Sequence, residues 1–209
     1  MDATIFSYDT DIVFNNFNKV LKLLVFCYEK MISEISFKLD EFETFIRNIL
    51  IKNYLQNKDF KEKFWIKNLR FLSEVQEIWE DYKTLWFIDI QVHNINPNDL
   101  WNENEYFAFE CKRLDGYATK NKEYINNWVK RFEKGQYSKE MKIAWMIWFI
   151  QWYKKWENIS NIINFFISKI SWLSFYEVDT TFKHSYHSNH KRNKKLWNIY
   201  LYHLFFDFT

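Results

Sequence analysis

Glu110 and Lys112 stand two positions apart in the run from Tyr106 to Leu114, YFAFECKRL, and Asp89 interrupts the run from Leu85 to Val92, LWFIDIQV. Both runs are short, aromatic and β-branched, which is strand composition. Side chains alternate across a strand, so Tyr106, Ala108, Glu110 and Lys112 share one face while Phe107, Phe109 and Cys111 share the other. Two charges on one face of an otherwise apolar strand are costly to desolvate unless they are paired or hold a metal. Asp89 supplies a second carboxylate if the two strands are antiparallel neighbours. Two converging carboxylates repel, and a divalent cation such as Mg²⁺ resolves the repulsion, because it takes carboxylate oxygens, water and phosphate oxygens together. An ammonium two residues beyond the glutamate then orients an attacking water or balances charge on a scissile phosphate.

Other elements must position these residues. From Ile12 to about Ile32 the apolar positions, among them Phe17, Val20, Leu21, Leu24, Val25, Tyr28 and Met31, recur at steps of three and four, which predicts an amphipathic helix. A second helix is expected over Asp40 to Leu55. The charged stretch NKDFKEKFWIKN reads as a loop or a solvated helical turn, and Asn68 to Glu80 as either helix or strand. The Asn-rich stretch HNINPNDLWNENE carries the single proline, Pro97, and fits a long hairpin loop. A helix is expected from about Asn121 to Lys134, capped by Gly135. Ile143 to Ile150 reads as a buried strand and Ser160 to Leu173 as a helix. The final LWNIYLYHLFFDF fits a strand or an aromatic helix equally well.

An acidic residue in one strand, followed by an ExK strand and then a helix, resembles the core of the PD-(D/E)XK nuclease superfamily, carried here by Asp89 and the triplet Glu110, Cys111, Lys112. The later pieces YINNWVKRFEKGQYS and SYHSNHKR…YLYHLFFDF are similar to those of uncharacterised bacterial members. The resemblance implies an α/β fold with a restriction-endonuclease-like core: a central mixed β-sheet flanked by helices, with additional N-terminal and C-terminal helices. It implies one nuclease-like domain over 1–209, with a helical extension at about 1–39, a catalytic core at about 40–150 and a C-terminal elaboration at about 151–209. It also implies Mg²⁺ or Mn²⁺ held by Asp89, Glu110 and the Cys111 backbone carbonyl, with Lys112 assisting the water. An acidic residue from the first core helix often joins such sites. Glu43 is the candidate, with Glu41 as competitor and Glu74 as a third.

Against these stand plainer readings. Glu110 and Lys112 could form a solvated cross-strand pair on an edge strand, Asp89 could be a strand-end turn residue, and Glu43 could pair with Arg47 four residues on. The basic residues Arg113, Lys120, Lys122, Lys130, Arg131 and Lys134 follow the ExK strand and are candidates for phosphate contacts. His184, His187 and His190 recur every third residue, but no cysteine or carboxylate nearby completes a zinc set. His190 and Arg192, with Ser188 and Lys191, are instead expected to form a supporting polar loop, phosphate-facing or structural.

Composition narrows the setting. The 209 residues are 48% hydrophobic and 22% aromatic, with only two glycines and one proline, which favours one packed core over linkers or disorder. A net charge of +2 announces no polyanion by itself, so any nucleic-acid site must come from local clustering. The two cysteines, Cys27 and Cys111, fit a reducing compartment. No apolar run reaches the roughly 18 residues of a membrane span, and the acidic MDATIFSYDTD is unlike a signal peptide. The expectation is a cytoplasmic nuclease acting on nucleic acid, DNA before RNA, with bacterial or phage-related defence as one setting. Homodimers and protein partners are further expectations. The alternative is a catalytically inactive nuclease-like binding or scaffold subunit of a larger complex.

Overall fold

The computed structural model describes residues 3–36, 43–78, 84–95, 106–114, 127, 129–135, 141–151, 158–170, 173–178, 181–192 and 198–209. Helix α1 spans Ala3–Glu34. Helix α2, Glu43–Ile49, runs into a π-helical segment over Leu50–Leu55, and α3 covers Lys58–Lys63. Strands β1 (Leu69–Ile78), β2 (Thr84–Asn94) and β3 (Phe107–Leu114) follow, then the short α4 (Lys130–Glu133) and β4 (Ile143–Ile150). Helix α5 (Ile159–Lys169) precedes β5 (Ser174–Phe175), β6 (Ser185–His190) and β7 (Ile199–Asp207).

The seven strands form one sheet in the order β1-β2-β3-β4-β7-β6-β5. The central pairs β3/β4 and β4/β7 are parallel, whereas β1/β2, β2/β3, β6/β7 and β5/β6 are antiparallel. A parallel centre covered on both faces explains why β4 reads as an unbroken apolar run. Alternation sorts that run cleanly. Phe107, Phe109, Cys111, Trp145, Ile147, Phe149, Tyr202, Leu204 and Phe206 meet α1 on one face. Ala108, Ala144, Met146, Trp148, Leu201 and Phe205 meet α4 and α5 on the other.

Helix α1 lies against the sheet rather than beyond it. Phe17 stacks on Trp145 with centroids 4.6 Å apart, and Tyr28 stacks on Phe206 at 4.3 Å while its hydroxyl donates to the Asp207 carbonyl at 2.8 Å. The π-helical segment and α3 cover the outer side of α1, with Phe26 packed edge-on to Phe60. The segment expected as a C-terminal elaboration contributes β6 and β7, and β7 lies inside the sheet between β4 and β6. It ends the chain as a strand, which decides between the two readings of LWNIYLYHLFFDF, as β1 does for Asn68 to Glu80. The loop expected of Ser188, His190, Lys191 and Arg192 is corrected: Ser188 and His190 lie in strand β6. Of the helix expected over 121–134, only α4 and its approach are described, and Gly135 caps it with a φ of 67°. Most of the stretch expected as a long hairpin loop, residues 96–105, lies outside the described residues, as do Glu41, Lys120 and Lys122. Among the described residues no helix is long and apolar enough to cross a membrane.

Candidate active site

The ladder between β2 and β3 is short. It joins Val92 to Phe107, Gln91 to Ala108 and Ile90 to Phe109. On the other side β3 stays paired with β4 through Leu114. Past Phe109, then, β3 has amides with no β2 carbonyl to meet, and buried amides need a partner. Two carboxylates provide it. The Cys111 amide donates to Asp89 Oδ2 at 2.9 Å, and the Arg113 amide donates to Glu43 Oε2 at 2.8 Å. The fork between the strands thus fixes Asp89 and draws in the first turn of α2.

Lys112 fills the centre of that fork. Its ammonium lies 3.0 Å from Asp89 Oδ2, 3.2 Å from Glu43 Oε1 and 3.2 Å from Glu110 Oε2, and it also donates to the Cys111 carbonyl. Glu110 is 1% and Lys112 5% exposed, so this is an ionic cluster inside the protein and not a solvated pair on an edge strand. Apolar walls keep it dry: Met146 and Trp148 stand beside Glu110 and Lys112 in the β3/β4 register, and both are fully buried. Glu110 Oε1 has no hydrogen-bond partner among the described residues.

The charges set one another. Burial pushes the Glu110 carboxyl well above the usual glutamate range, against the pull of Lys112 and with the push of Asp89. Burial acts on Asp89 in the same sense, but the Lys112 ammonium and the Cys111 amide outweigh it and hold that carboxyl below its ordinary value. Glu43 is raised, again by burial first. Burial alone would lower the Lys112 ammonium, yet Glu110, Asp89 and Glu43 together raise it, so it stays charged. Cys111 faces the α1 side, fully buried, and burial raises its thiol well above the ordinary range, which makes it inert.

Arg47 belongs to this cluster, though the sequence offered it only as a partner for Glu43. Its guanidinium reaches across to Asp89 Oδ1 and to Glu74 Oε1, both at 2.6 Å. The spacing of Glu43 and Arg47 put both on one face of α2, and that was the available signal. What they face, the β2/β3 fork, was not. Glu74 falls between the Ser73–Ile90 and Val75–Ile88 pairs, which sets it opposite Asp89. Its φ of 52° places it in the left-handed region, an uncommon conformation for a non-glycine residue and one that here directs its carboxylate to Arg47.

The other candidates lie elsewhere. Glu133 of α4 accepts from His190 Nδ1 at 2.8 Å, which anchors α4 on β6. Three strand spacings, about 14 Å, separate β6 from β3 in the sheet. Arg192 is buried and donates to the carbonyls of Phe132 at 2.8 Å and Met141 at 3.1 Å, and His190 is buried between Glu133 and Ser188. These contacts tie both residues to the fold, through the Phe132 and Met141 carbonyls for Arg192 and through Glu133 and Ser188 for His190.

The fold and site together define an α/β protein whose mixed sheet opens a fork between two antiparallel strands and fills it with buried carboxylates and one lysine. Compared with family models, curated proteins and solved structures, the chain matches none of them.

Proposed function

We propose that the chain is a metal-dependent nuclease of the PD-(D/E)XK type, with a restriction-endonuclease-like core, hydrolysing nucleic-acid phosphodiester bonds, DNA before RNA, in the cytoplasm. One observation carries the reading: a buried ammonium surrounded by the carboxyl groups of Asp89, Glu110 and Glu43. A structural ion cluster tends to saturate its oxygens. Here an oxygen-rich recess holds more carboxylate than its two cations satisfy, which suits a hard cation.

Asp89, Glu110 and the Cys111 carbonyl would hold Mg²⁺ or Mn²⁺, with Glu43 completing the set. Such an ion supplies Lewis-acid polarisation of a phosphate and lowers the pKa of a water. Lys112 keeps a positive charge in a site that excludes water, where it is worth more than at the surface, and it can orient the nucleophilic water or offset phosphate charge. Glu43, through the Arg113 amide, ties α2 to β3 and so holds the acidic residues in register.

A second reading, a nuclease-like scaffold without chemistry, has its own supporting observation. Both Asp89 oxygens already accept from Arg47, Lys112 or the Cys111 amide. Among the described residues no group of three or more His, Cys, Asp or Glu is arranged to hold a metal ion. The two readings separate in a cleavage assay on duplex and single-stranded DNA and RNA with Mg²⁺ or Mn²⁺, beside a calorimetric titration of the same ions. Expected are metal-dependent cleavage and a binding heat, with Asp89→Asn lowering cleavage by roughly a hundredfold or more. Neither heat nor cleavage from the wild type would favour the scaffold. A homodimer and protein partners belong to the same proposal, and a sedimentation experiment with and without duplex addresses the first.

A further inference from the structure

Helix α3 ends in a turn that normally calls for glycine. The Ile66 amide donates to the Lys61 carbonyl at 2.9 Å and the Trp65 amide to the Glu62 carbonyl at 2.9 Å, the paired bonds of a Schellman cap. The residue that must turn left-handed is Trp65, with a φ of 58°. Trp65 is 83% exposed, and among the described residues no ring or cation packs on it. A large aromatic ring is thus held in water on an unfavourable backbone, with no contact among the described residues to account for it. Strain of this kind tends to mark binding sites.

The surroundings are basic. Between residues 52 and 70, Lys52, Lys58, Lys61, Lys63, Lys67 and Arg70 face only Asp59 and Glu62, whereas the whole chain carries a net +2. Among the described residues Lys58, Lys67 and Arg70 are exposed and form no ion pair. Arg70 pairs with His93 on β1/β2, which puts it on the same sheet face as Glu74 and Asp89. Four residues of strand separate Arg70 from Glu74, about 13 Å.

We propose that the Trp65 turn is a contact site for single-stranded nucleic acid, with a base stacked on the indole and phosphates met by Lys58 and Lys67. An exposed aromatic among lysines is the pairing that strand-binding surfaces use, because every base has a face to stack and every phosphate a charge. The inference rests on the nucleic-acid reading for its partner, but not on catalysis.

The test is fluorescence anisotropy of a labelled oligo(dT) strand with the full chain in EDTA, where metal-dependent cleavage cannot occur. Wild type is expected to bind, more weakly as salt rises. Trp65→Gly removes the ring and suits the left-handed turn, so it should weaken binding by roughly tenfold while the melting temperature holds or rises. Trp65→Phe should keep most of the affinity. Neutralising Lys58 and Lys67 should each reduce the salt slope by about 0.7. Unchanged affinity in Trp65→Gly overturns the inference and leaves the nuclease reading intact. Binding that depends on Trp65, in a protein that never cleaves with metal, supports the inference and overturns the nuclease. Absence of any binding to the strand overturns the inference and points the Trp65 surface toward a protein partner.

Discussion

Two buried polar clusters share one face of the sheet, and they solve the problem of burial differently. At the β2/β3 fork, three carboxyl groups, Asp89, Glu110 and Glu43, crowd around Lys112, with Arg47 on Asp89. At the other end a chain runs from Glu133 through His190 and Ser188 to His203, with links of 2.8, 2.7 and 2.8 Å. Its proton positions follow from the partners. Glu133 requires a proton on His190 Nδ1, so His190 Nε2 accepts from the Ser188 hydroxyl, and Ser188 in turn accepts from His203 Nε2–H. The one group this leaves over is His203 Nδ1, a bare lone pair and not an orphaned N–H. Neutral histidines arranged donor to acceptor are at rest in the core. The fork instead crowds three carboxyl groups around one ammonium, and that difference is why the proposed chemistry is placed there and not at the histidine chain.

Removing the central cation should give the largest effect. Lys112→Ala leaves three carboxylates facing one another without their ammonium, and breaking a buried pair in this way costs about 3–5 kcal/mol. The loss should appear in urea unfolding, and cleavage by this variant must therefore be read only where it is folded. Millimolar Mg²⁺ or Mn²⁺ should restore part of the stability if the carboxylates bind the ion, since a ligand of the native state alone stabilises it. No recovery would make the fork as purely structural as the histidine chain.

Acid should separate the clusters next. Burial pushes His203 down to about 3 and lowers His190 as well. A depressed histidine binds its proton more readily in the unfolded chain, so its contribution is whole above about 6.5 and is lost as pH falls from there toward 3. From pH 6.5 to 5 the loss from His203 is about 2 kcal/mol. Glu110 has the opposite sign: its raised carboxyl favours the protonated native form, so its contribution declines as pH climbs above the ordinary glutamate value. Melting curves from pH 7 to 4 should show the acid limb, and His203→Gln should flatten it. An unchanged limb in that variant would remove the histidine chain from the account.

The smallest stability effect belongs to Glu110→Gln. Burial already favours the uncharged carboxyl, so the neutral isostere should change unfolding free energy by no more than about 1 kcal/mol. Metal-dependent cleavage should nonetheless be abolished, because an amide is a poor ligand for a hard cation. Retained cleavage would exclude Glu110 from the reaction and move attention to Glu43.

Much of this chain was legible in local pattern. Alternation in YFAFECKRL placed Glu110 and Lys112 on one face with Cys111 behind them, because a strand has a period of two whatever surrounds it. Composition set the strand character of LWFIDIQV and the apolar run of β4, and the three-and-four spacing set α1. What period and composition cannot carry is the partner across space. No local signal says that β2 and β3 part after Phe109, that the amides freed there take Asp89 and Glu43, or that Arg47 reaches Asp89 and Glu74 instead of its helical neighbour Glu43. Nor does the sequence insert β7 between β4 and β6, since strand order depends on which faces must be covered and not on any one strand's pattern. The apolar walls of Met146 and Trp148, drawn in by that order, desolvate Glu110. Only the tertiary structure could decide that, because an ExK triplet at a solvated edge would have the same spelling and an ordinary carboxylate.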